Sequence, residues 1–319
     1  DPFLIQNMEK AVERILLAIK KEEKIVLYSD YDHDGIPGGV VLHDFFKKIG
    51  YKNFENYIPH RHREGYGFNP DAARAFGEQK VELIITVDCG IADCAAVDVA
   101  NSFGINVIIT DHHLPPDPLP KAFAILNSKQ ADDSYPDDML CGAAVAWKLT
   151  HALMQRPLPE WEITEGWEKW LLDMVGLSTI ADMVPLRKEN RVLAHYGLKV
   201  LRKSPRPGVQ QLLRKLKINQ TTITEDDIGF MIAPRINAAS RMGEPMDAFK
   251  MLTTSDPIEA SELAGHLEKL NSERKGLVAS MAKEIKGNIK KRDSLDEVLV
   301  IGNPDWKPSL LGLCANNIA

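Results

Sequence analysis

The chain has 319 residues, of which 44% are hydrophobic and 26% are charged, and its formal net charge is −6. This length allows more than one domain, and the composition is that of an ordinary globular protein. No apolar run approaches the roughly 20 residues of a membrane helix, and the four cysteines lack the spacing of a zinc site or a disulfide framework. We therefore expect a cytoplasmic protein with reduced thiols and no membrane partner.

The first half of the chain alternates between helical and strand-like patterns. Apolar residues recur at helical spacing over 8–21, 40–49, 70–79 and 91–103. Short apolar runs typical of strands lie at 24–29, 54–58, 82–87, 105–110 and 122–126. Strands that alternate with short helices predict a mainly parallel sheet flanked by helices, which is an α/β fold.

The second half is mostly helical, most clearly over 141–154, 165–181 and 190–203. Residues 258–289 predict one long amphipathic helix, which either lies on a domain or bridges two domains. A strand is predicted at 297–302, and a further helix begins near Ser309. We expect a first domain over 1–255, a connecting helix over 256–293, and the incomplete beginning of a second, smaller α/β domain over 294–319.

Carboxylates and imidazoles follow apolar runs at four places that are far apart in the sequence. The runs end in Asp30, Asp32 and Asp34, in Asp88, in Asp111, His112 and His113, and, after the less strand-like Ile180-Ala181, in Asp182. Ligands collect at the carboxyl ends of parallel strands, so we expect these side chains to meet at one edge of the sheet. Such clustered negative charge is costly unless a cation neutralises it.

The segment Asp30-Tyr-Asp-His-Asp34-Gly35 also matches the opening of an EF-hand calcium loop. That loop needs a glutamate at its twelfth position and a helix before it. Here the twelfth position is Val41, and a strand precedes the segment. The EF-hand interpretation therefore fails. An extended chain would point the three carboxylates to one side.

The ligand set also indicates the kind of metal. An isolated pair such as His112-His113 is more often structural, but here carboxylates end two other predicted strands. Mixed carboxylate and imidazole ligands without a thiolate suit Mn²⁺ or Mg²⁺ better than structural zinc. Six carboxylates and two histidines exceed the needs of one ion, so we expect two ions that share a bridging carboxylate.

Two basic segments are candidates for phosphate binding. They are His60–Gly67, with Arg61, Arg63 and Tyr66, and Pro234–Arg241, with Arg235, Asn237 and Arg241. Guanidinium groups bind phosphate through charge-assisted hydrogen bonds. The alternatives are a surface turn for the first segment and a helix cap or salt bridge for the second. Further basic clusters, typical of solvated faces, lie at 187–191, 202–206, 214–217 and 290–292.

Taken together, these segments resemble the DHH phosphoesterase superfamily and, within it, the RecJ-like exonucleases that act on single-stranded DNA. Asp111-His112-His113 is the signature triplet of the superfamily. Three further segments match other motifs of the superfamily, and the two basic segments match RecJ-like members. These segments are Asp30-x-Asp-x-Asp-Gly35, Thr86-Val-Asp88-Cys-Gly90, Ile180-Ala-Asp182-Met-Val-Pro185, Tyr57–Asn69 and Pro234–Arg241.

The resemblance implies a catalytic DHH domain over 1–255 and the start of a DHHA1 domain over 294–319. It also implies a two-metal phosphodiesterase that removes mononucleotides from the 5′ end of single-stranded DNA, with Mn²⁺ or Mg²⁺ as cofactor. DNA-repair or replication proteins are further candidate partners. The metal ligands it implies are Asp30, Asp32, Asp34, Asp88, His112 and Asp182, with Asp88 bridging.

The resemblance implies roles for the remaining residues as well. Asp111 orients an imidazole, His113 contacts the scissile phosphate, and Arg235 and Arg241 hold flanking phosphates. Two alternatives remain open. One is a DHH enzyme for small substrates such as short oligonucleotides, cyclic dinucleotides or pyrophosphate. The other is a catalytically silent DHH homologue that serves as a replication scaffold.

Overall fold

A five-stranded, wholly parallel sheet forms the centre of the molecule, in the order β2-β1-β3-β4-β5. The computed structural model describes residues 1–290 and 298–318. The strands are β1 (Ile25–Ser29), β2 (Phe54–Tyr57), β3 (Leu83–Val87), β4 (Asn106–Thr110) and β5 (Ala124–Leu126). Every residue of β1 and β3 is buried, as in strands covered by helices on both faces. The predicted α/β fold is confirmed.

Twelve α-helices surround or extend this sheet in the described part of the chain. They are α1 (Met8–Lys20), α2 (Gly35–Lys48), α3 (Pro70–Glu78), α4 (Cys94–Ser102), α5 (Gly142–Met154), α6 (Leu172–Ala181), α7 (Lys188–Leu201), α8 (Pro207–Leu216), α9 (Ala233–Met242), α10 (Pro245–Thr253), α11 (Pro257–Lys290) and α12 (Pro308–Ile318). Helices α3 and α4 cover one face of the sheet, and α1, α2 and α5 cover the other. None of the described helices is both long and apolar enough to span a membrane.

The order of the strands places a topological switch point between β1 and β3. The chain leaves β1 toward β2 on one side and later adds β3 on the other side. In open α/β sheets, ligands bind in the crevice outside the carboxyl ends of the strands at such a point. Asp30 follows β1 and Asp88 follows β3, so two predicted ligands flank this crevice.

Helix α11 is the single long helix that the sequence predicts. Its first half, with Ala264, Leu267 and Leu270, joins the main hydrophobic core. Its second half, with Val278 and Met281, packs in a separate cluster against α12. The helix therefore lies on the main body and also carries the C-terminal segment.

The run before Asp182 is both less strand-like and part of the helix predicted at 165–181. Ile180 and Ala181 form the last turn of α6, and Asp182 caps that helix. The helix prediction is therefore confirmed there, and the strand-like interpretation is wrong. Of the strand predicted at 297–302, residue 297 lies outside the described residues, and 298–302 adopt no strand conformation. In the described part of the chain, the strands of the sheet lie between residues 25 and 126.

Candidate metal centre

The loop after β1 gathers its carboxylates by turning, and the predicted extended conformation of this segment is wrong. Asp32 Oδ1 accepts hydrogen bonds from the amides of Asp34 (2.8 Å) and Gly35 (3.1 Å). This side-chain cap bends the chain into the start of α2. A Cβ atom on Gly35 would lie 2.5 Å from the carbonyl oxygen of Asp30, so the tight turn requires glycine.

Helix α5 fixes the carboxylate of Asp34. Asp34 Oδ2 accepts a hydrogen bond from the amide of Gly142 (2.6 Å), and Oδ1 accepts one from the amide of Ala143 (2.8 Å). The first amides of a helix have no partner within the helix and carry partial positive charge. The buried Asp34 is therefore held in one orientation at the carboxyl edge of the sheet.

Asp88 has a left-handed backbone, with φ of 60°, directly after β3. Its amide donates to the carbonyl of Thr110, which continues the hydrogen-bond ladder of the sheet to this residue. Among the described residues, its Oδ1 is buried without a hydrogen-bond donor, and it lies 3.2 Å from His112 Nε2. Aspartate tolerates this backbone conformation better than most residues.

Asp111 organises the two histidines that follow β4. Its Oδ1 accepts hydrogen bonds from the amides of His112 and His113, and it lies 2.8 Å from His113 Nδ1. Its Oδ2 accepts the amide of Ile91. The His112 side chain is only 11% exposed, whereas that of His113 is 46% exposed. Asp111 thus fixes the ring of the more exposed histidine.

Asp182 reaches the same centre from the C-terminal end of α6. His112 Nε2 lies 3.8 Å from Asp182 Oδ2 and 3.6 Å from Asp34 Oδ2. Among the described residues, three groups of three side chains offer potential ligand atoms, and within each group these atoms lie within 4.8 Å of one another. They are Asp30, Asp32 and Asp88; Asp88, His112 and His113; and Asp34, His112 and Asp182. Asp88 and His112 each belong to two groups, so the groups form one continuous cluster.

The chemistry of this donor set fits divalent cations. Asp30 Oδ1, Asp88 Oδ1 and His112 Nδ1 are buried without a hydrogen-bond partner within the described part of the protein. Buried polar atoms are normally satisfied, and unpaired buried carboxylates are especially costly. Carboxylate oxygens and imidazole nitrogens without thiolate suit Mn²⁺ or Mg²⁺.

Burial and mutual repulsion raise the pKa values of three of these carboxylates. Burial, and then the charge of Asp32, raises the pKa of Asp30 well above its usual range. Burial, and then the charge of Asp34, raises the pKa of Asp88 in the same way. For Asp182, burial and then Asp34 raise the pKa to about 6. A bound cation reverses this penalty by favouring the charged forms.

The pKa of Asp111 is lowered and that of His113 is raised, so both groups favour their charged forms and pair with each other. Burial alone would raise the pKa of Asp111, but hydrogen bonding and the charge of His113 bring it below its usual value. The hydrogen bond to Asp111 raises the pKa of His113 in turn. The His113 ring is therefore favoured in its charged, hydrogen-bond-donating form beside the cluster.

Aromatic and cationic side chains lie beside the carboxylates. The Tyr66 hydroxyl lies 3.3 Å from His113 Nδ1 and 3.4 Å from the carbonyl oxygen of Asp88. The Arg61 guanidinium lies 4.9 Å from the centre of the Tyr31 ring. Burial, and then the nearby charge of Arg61, lowers the pKa of Arg241, so these two cations share one environment. Asp32 acts on the Arg241 charge and Arg61 acts on Asp30, so both cations lie near the carboxylates. Arg241 also donates to the carbonyl of Ser309 in α12 (2.6 Å).

Two of the predicted phosphate-binding arginines are engaged in ion pairs. Arg63 lies 2.6 Å from Glu244 at the surface. Arg235 is buried, lies 2.8 Å from Glu268, and donates to the carbonyl of Met231. The salt-bridge alternative therefore describes Arg235, because its donors are already satisfied within the protein.

Asn237 contacts the aspartate loop through His33, which the sequence did not reveal. Its Oδ1 accepts a hydrogen bond from the amide of His33 (3.0 Å) and lies 3.0 Å from His33 Nδ1. It therefore ties α9 to the loop of Asp32 and Asp34. His33 and Gly142 are among the site residues that the sequence patterns did not indicate. His33 stands inside the aspartate motif, which was the available signal, but Gly142 stands in no recognised motif.

Comparisons with known proteins agree with this geometry. Residues 24–178 match the model of the DHH family, N-terminal domain. The chain is 39% identical, over its whole length, to the single-stranded-DNA-specific exonuclease RecJ of Bacillus subtilis. It is 34% identical, over 98% of its length, to RecJ of Escherichia coli. The chain spans 39% and 56% of the lengths of these two relatives, so it corresponds to about half of such proteins or less.

Solved structures give the same result. A crystal structure of exonuclease RecJ bound to manganese superposes with a TM-score of 0.86 at 30% identity, and the match covers 98% of this chain and 77% of the other. RecJ from Thermus thermophilus in complex with Mn²⁺ superposes with a TM-score of 0.83 at 29% identity, covering 98% of this chain and 44% of the other. The chain therefore belongs to the RecJ group of the DHH family.

Proposed function

We propose that this chain carries the catalytic centre of a metal-dependent phosphodiesterase that removes mononucleotides from the 5′ end of single-stranded DNA. The observation that carries the proposal is the cluster of five aspartates around His112, several of whose buried atoms lack partners within the described part of the chain. The relatives named above are described as single-stranded-DNA-specific exonucleases, which supports the choice of substrate.

Two divalent ions, Mn²⁺ or Mg²⁺, fit the proposed site. Asp30, Asp32, Asp34, Asp88, His112 and Asp182 are the residues that would hold them. Asp88 belongs to two of the three ligand groups, which supports a bridging role. When bound, such a pair of ions polarises the phosphodiester and lowers the pKa of a bound water.

The remaining side chains act on the substrate. His113, oriented by Asp111 and half exposed, donates a hydrogen bond to a phosphate oxygen at the centre. Arg61 and Arg241 bind phosphates on either side of it, and Tyr66 borders the same space. Asn237 acts by positioning His33, whereas Arg63 and Arg235 have partners within the protein.

The wider assignment follows from the same family membership. We propose a DHH domain over 1–255, a connecting segment over 256–293 that contains α11, and the start of a DHHA1 domain over 294–319. The four free cysteines suit a cytoplasmic location, where thiols stay reduced. Proteins of DNA repair or replication are the candidate partners.

Metal titration tests the proposal directly. After dialysis against EDTA, Mn²⁺ added back in a calorimeter should bind with two equivalents per chain, and hydrolysis of single-stranded DNA should return in parallel. Asp88→Asn should lose at least one equivalent. Full hydrolysis in excess EDTA, or a single equivalent in the wild type, would contradict the two-metal assignment.

A further inference from the structure

The outer face of α7 carries a row of cations and one aromatic ring. Arg191, Tyr196, Lys199 and Lys203 are exposed and follow one another at steps of three to five residues, so they share one side of the helix and its end. We call this row the α7 stripe. The opposite face, with Leu193, Ala194 and Gly197, is buried against α6.

Within residues 1–290 and 298–318, the cations of the α7 stripe, which are Arg191, Lys199 and Lys203, take part in no ion pair. The single acid between residues 187 and 203 is Glu189, which pairs with Lys148 and hydrogen-bonds Tyr135. A protein with a net charge of −6 thus concentrates unpaired positive charge on one helix.

The position of α7 connects this charge to the metal centre. The helix begins at Lys188, six residues after Asp182. Its 14 residues extend about 21 Å from there, at 1.5 Å per residue. Lys203, at the far end, lines a cavity of about 580 Å³ together with Trp167 and Trp170, and Trp170 is 53% exposed. Positive charge and aromatic rings therefore extend from the ligand Asp182 to this cavity.

We propose that the α7 stripe binds the backbone of the nucleic acid strand outside the metal centre. Cations spaced along a surface that track phosphates, with aromatic rings that stack on bases, are the general design of surfaces that bind single strands. Lys199 lies 5.1 Å from the centre of the Tyr196 ring, so one base stacked there would also meet a cation. This inference rests on the proposed function, since the strand it binds is the substrate of that site.

Binding without cleavage is the appropriate test. The double variant Arg191→Ala/Lys199→Ala and the single variant Tyr196→Ala are compared with the wild type in EDTA. The matched control is Lys20→Ala/Lys21→Ala, which removes two exposed lysines near the amino end of β1, away from the metal-binding edge. The ligands are single strands of about 30 and about 4 nucleotides, and a polyglutamate chain of similar charge serves as a non-nucleic polyanion.

Tyr196→Ala should bind the long strand at least about tenfold more weakly, as for loss of one stacked base, and the double variant should also bind it more weakly than the control does. The double variant should also reduce the slope of log K against log salt by about 1.4, at about 0.7 per phosphate contact. The short strand, which fits at the metal centre alone, should bind as in the wild type.

Two results would overturn the inference. One is stripe variants that match the Lys20/Lys21 control on the long strand. The other is an equal affinity of the wild type for polyglutamate and for the strand. If the wild type itself neither binds nor cuts single-stranded DNA, the proposed function fails instead, so the two failures are distinguishable.

Discussion

Gly142 lies so close to Asp88 that a Cβ atom built on Gly142 would be 2.6 Å from Asp88 Oδ1. The amide of the same glycine donates to Asp34 at 2.6 Å. One residue at the start of α5 thus fixes one carboxylate and leaves room for another. The absence of a side chain at Gly142 is therefore a requirement of the candidate metal centre.

Gly142→Ala should weaken metal binding. The new methyl group would lie 2.6 Å from both Cβ and Oδ1 of Asp88, so this side chain must shift. We expect Mn²⁺ affinity to fall at least about tenfold, as for loss of a residue that supports a ligand. The control is Gly276→Ala in α11, where a Cβ atom meets nothing within 4 Å among the described residues. Unchanged Mn²⁺ affinity in Gly142→Ala would contradict this account.

Asp88→Asn should abolish most turnover while keeping the fold. Asparagine tolerates the left-handed backbone of this position, so the substitution removes charge with little strain. Losing a shared ligand should cost at least about a hundredfold in turnover. The melting temperature in EDTA should stay the same or rise, because one repelled carboxylate is gone. Hydrolysis near the wild-type rate in Mn²⁺ would rule out a bridging Asp88.

His112 and His113 should behave differently although they are adjacent. His112 lies among Asp34, Asp88 and Asp182, so His112→Ala should reduce the number of bound ions. His113→Ala should keep both ions and slow turnover by about 10²-fold, as for a lost transition-state donor. Asp111→Asn should resemble His113→Ala in milder form. Calorimetry and single-turnover rates separate the two effects, and equal loss of metal in both histidine variants would be inconsistent with this division.

Arg235 and Arg241 should also separate. Arg235→Ala leaves Glu268 without its partner and should lower the free energy of unfolding by about 2 kcal/mol. Strand binding by Arg235→Ala should keep the salt dependence of the wild type. Arg241→Ala should reduce the salt slope of binding by about 0.7, as for one phosphate contact. The comparison uses urea unfolding and binding at several salt concentrations. A reduced salt slope of strand binding in Arg235→Ala would instead indicate that Arg235 binds a phosphate.

In the metal-free protein, the stability that Asp182 contributes should fall as the pH rises through the pKa of this residue. Its folded pKa of about 6 lies above the unfolded value of about 3.9. Between these values the folded state binds more protons, so the stability that Asp182 contributes is complete below about pH 4 and is lost as the pH rises through about 6. In EDTA, the melting temperature of the wild type relative to Asp182→Asn should fall across this interval. A constant difference between the two proteins would refute the shift.

Much of the fold and of the ligand cluster follows from local patterns. Buried Val/Ile runs marked the strands of the sheet, because strands covered on both faces carry little polar alternation. The carboxylates after β1 and β3 and the histidines after β4 meet because parallel strands share one carboxyl edge.

The remaining features depend on tertiary contacts. The run before Asp182 is equally apolar in a strand or a buried helix, and its packing against α2, α5 and α7 favours a helix. In the sequence, Arg235 resembles a phosphate ligand. Only the fold shows that its partner is Glu268, which stands 33 residues later in the chain. Gly142 and His33 matter only through partners that lie about a hundred or more positions away.

The proposed function is the cutting of single-stranded DNA from its 5′ end at a two-metal centre. The most direct test is release of labelled mononucleotide from 5′-labelled and 3′-labelled strands in Mn²⁺, beside blunt duplex, dinucleotide and pyrophosphate. We expect immediate release of mononucleotide from the 5′ label, delayed release from the 3′ label, little digestion of duplex, and no activity in Asp88→Asn. Immediate release from the 3′ label, or faster hydrolysis of pyrophosphate or dinucleotide than of the strand, would contradict it.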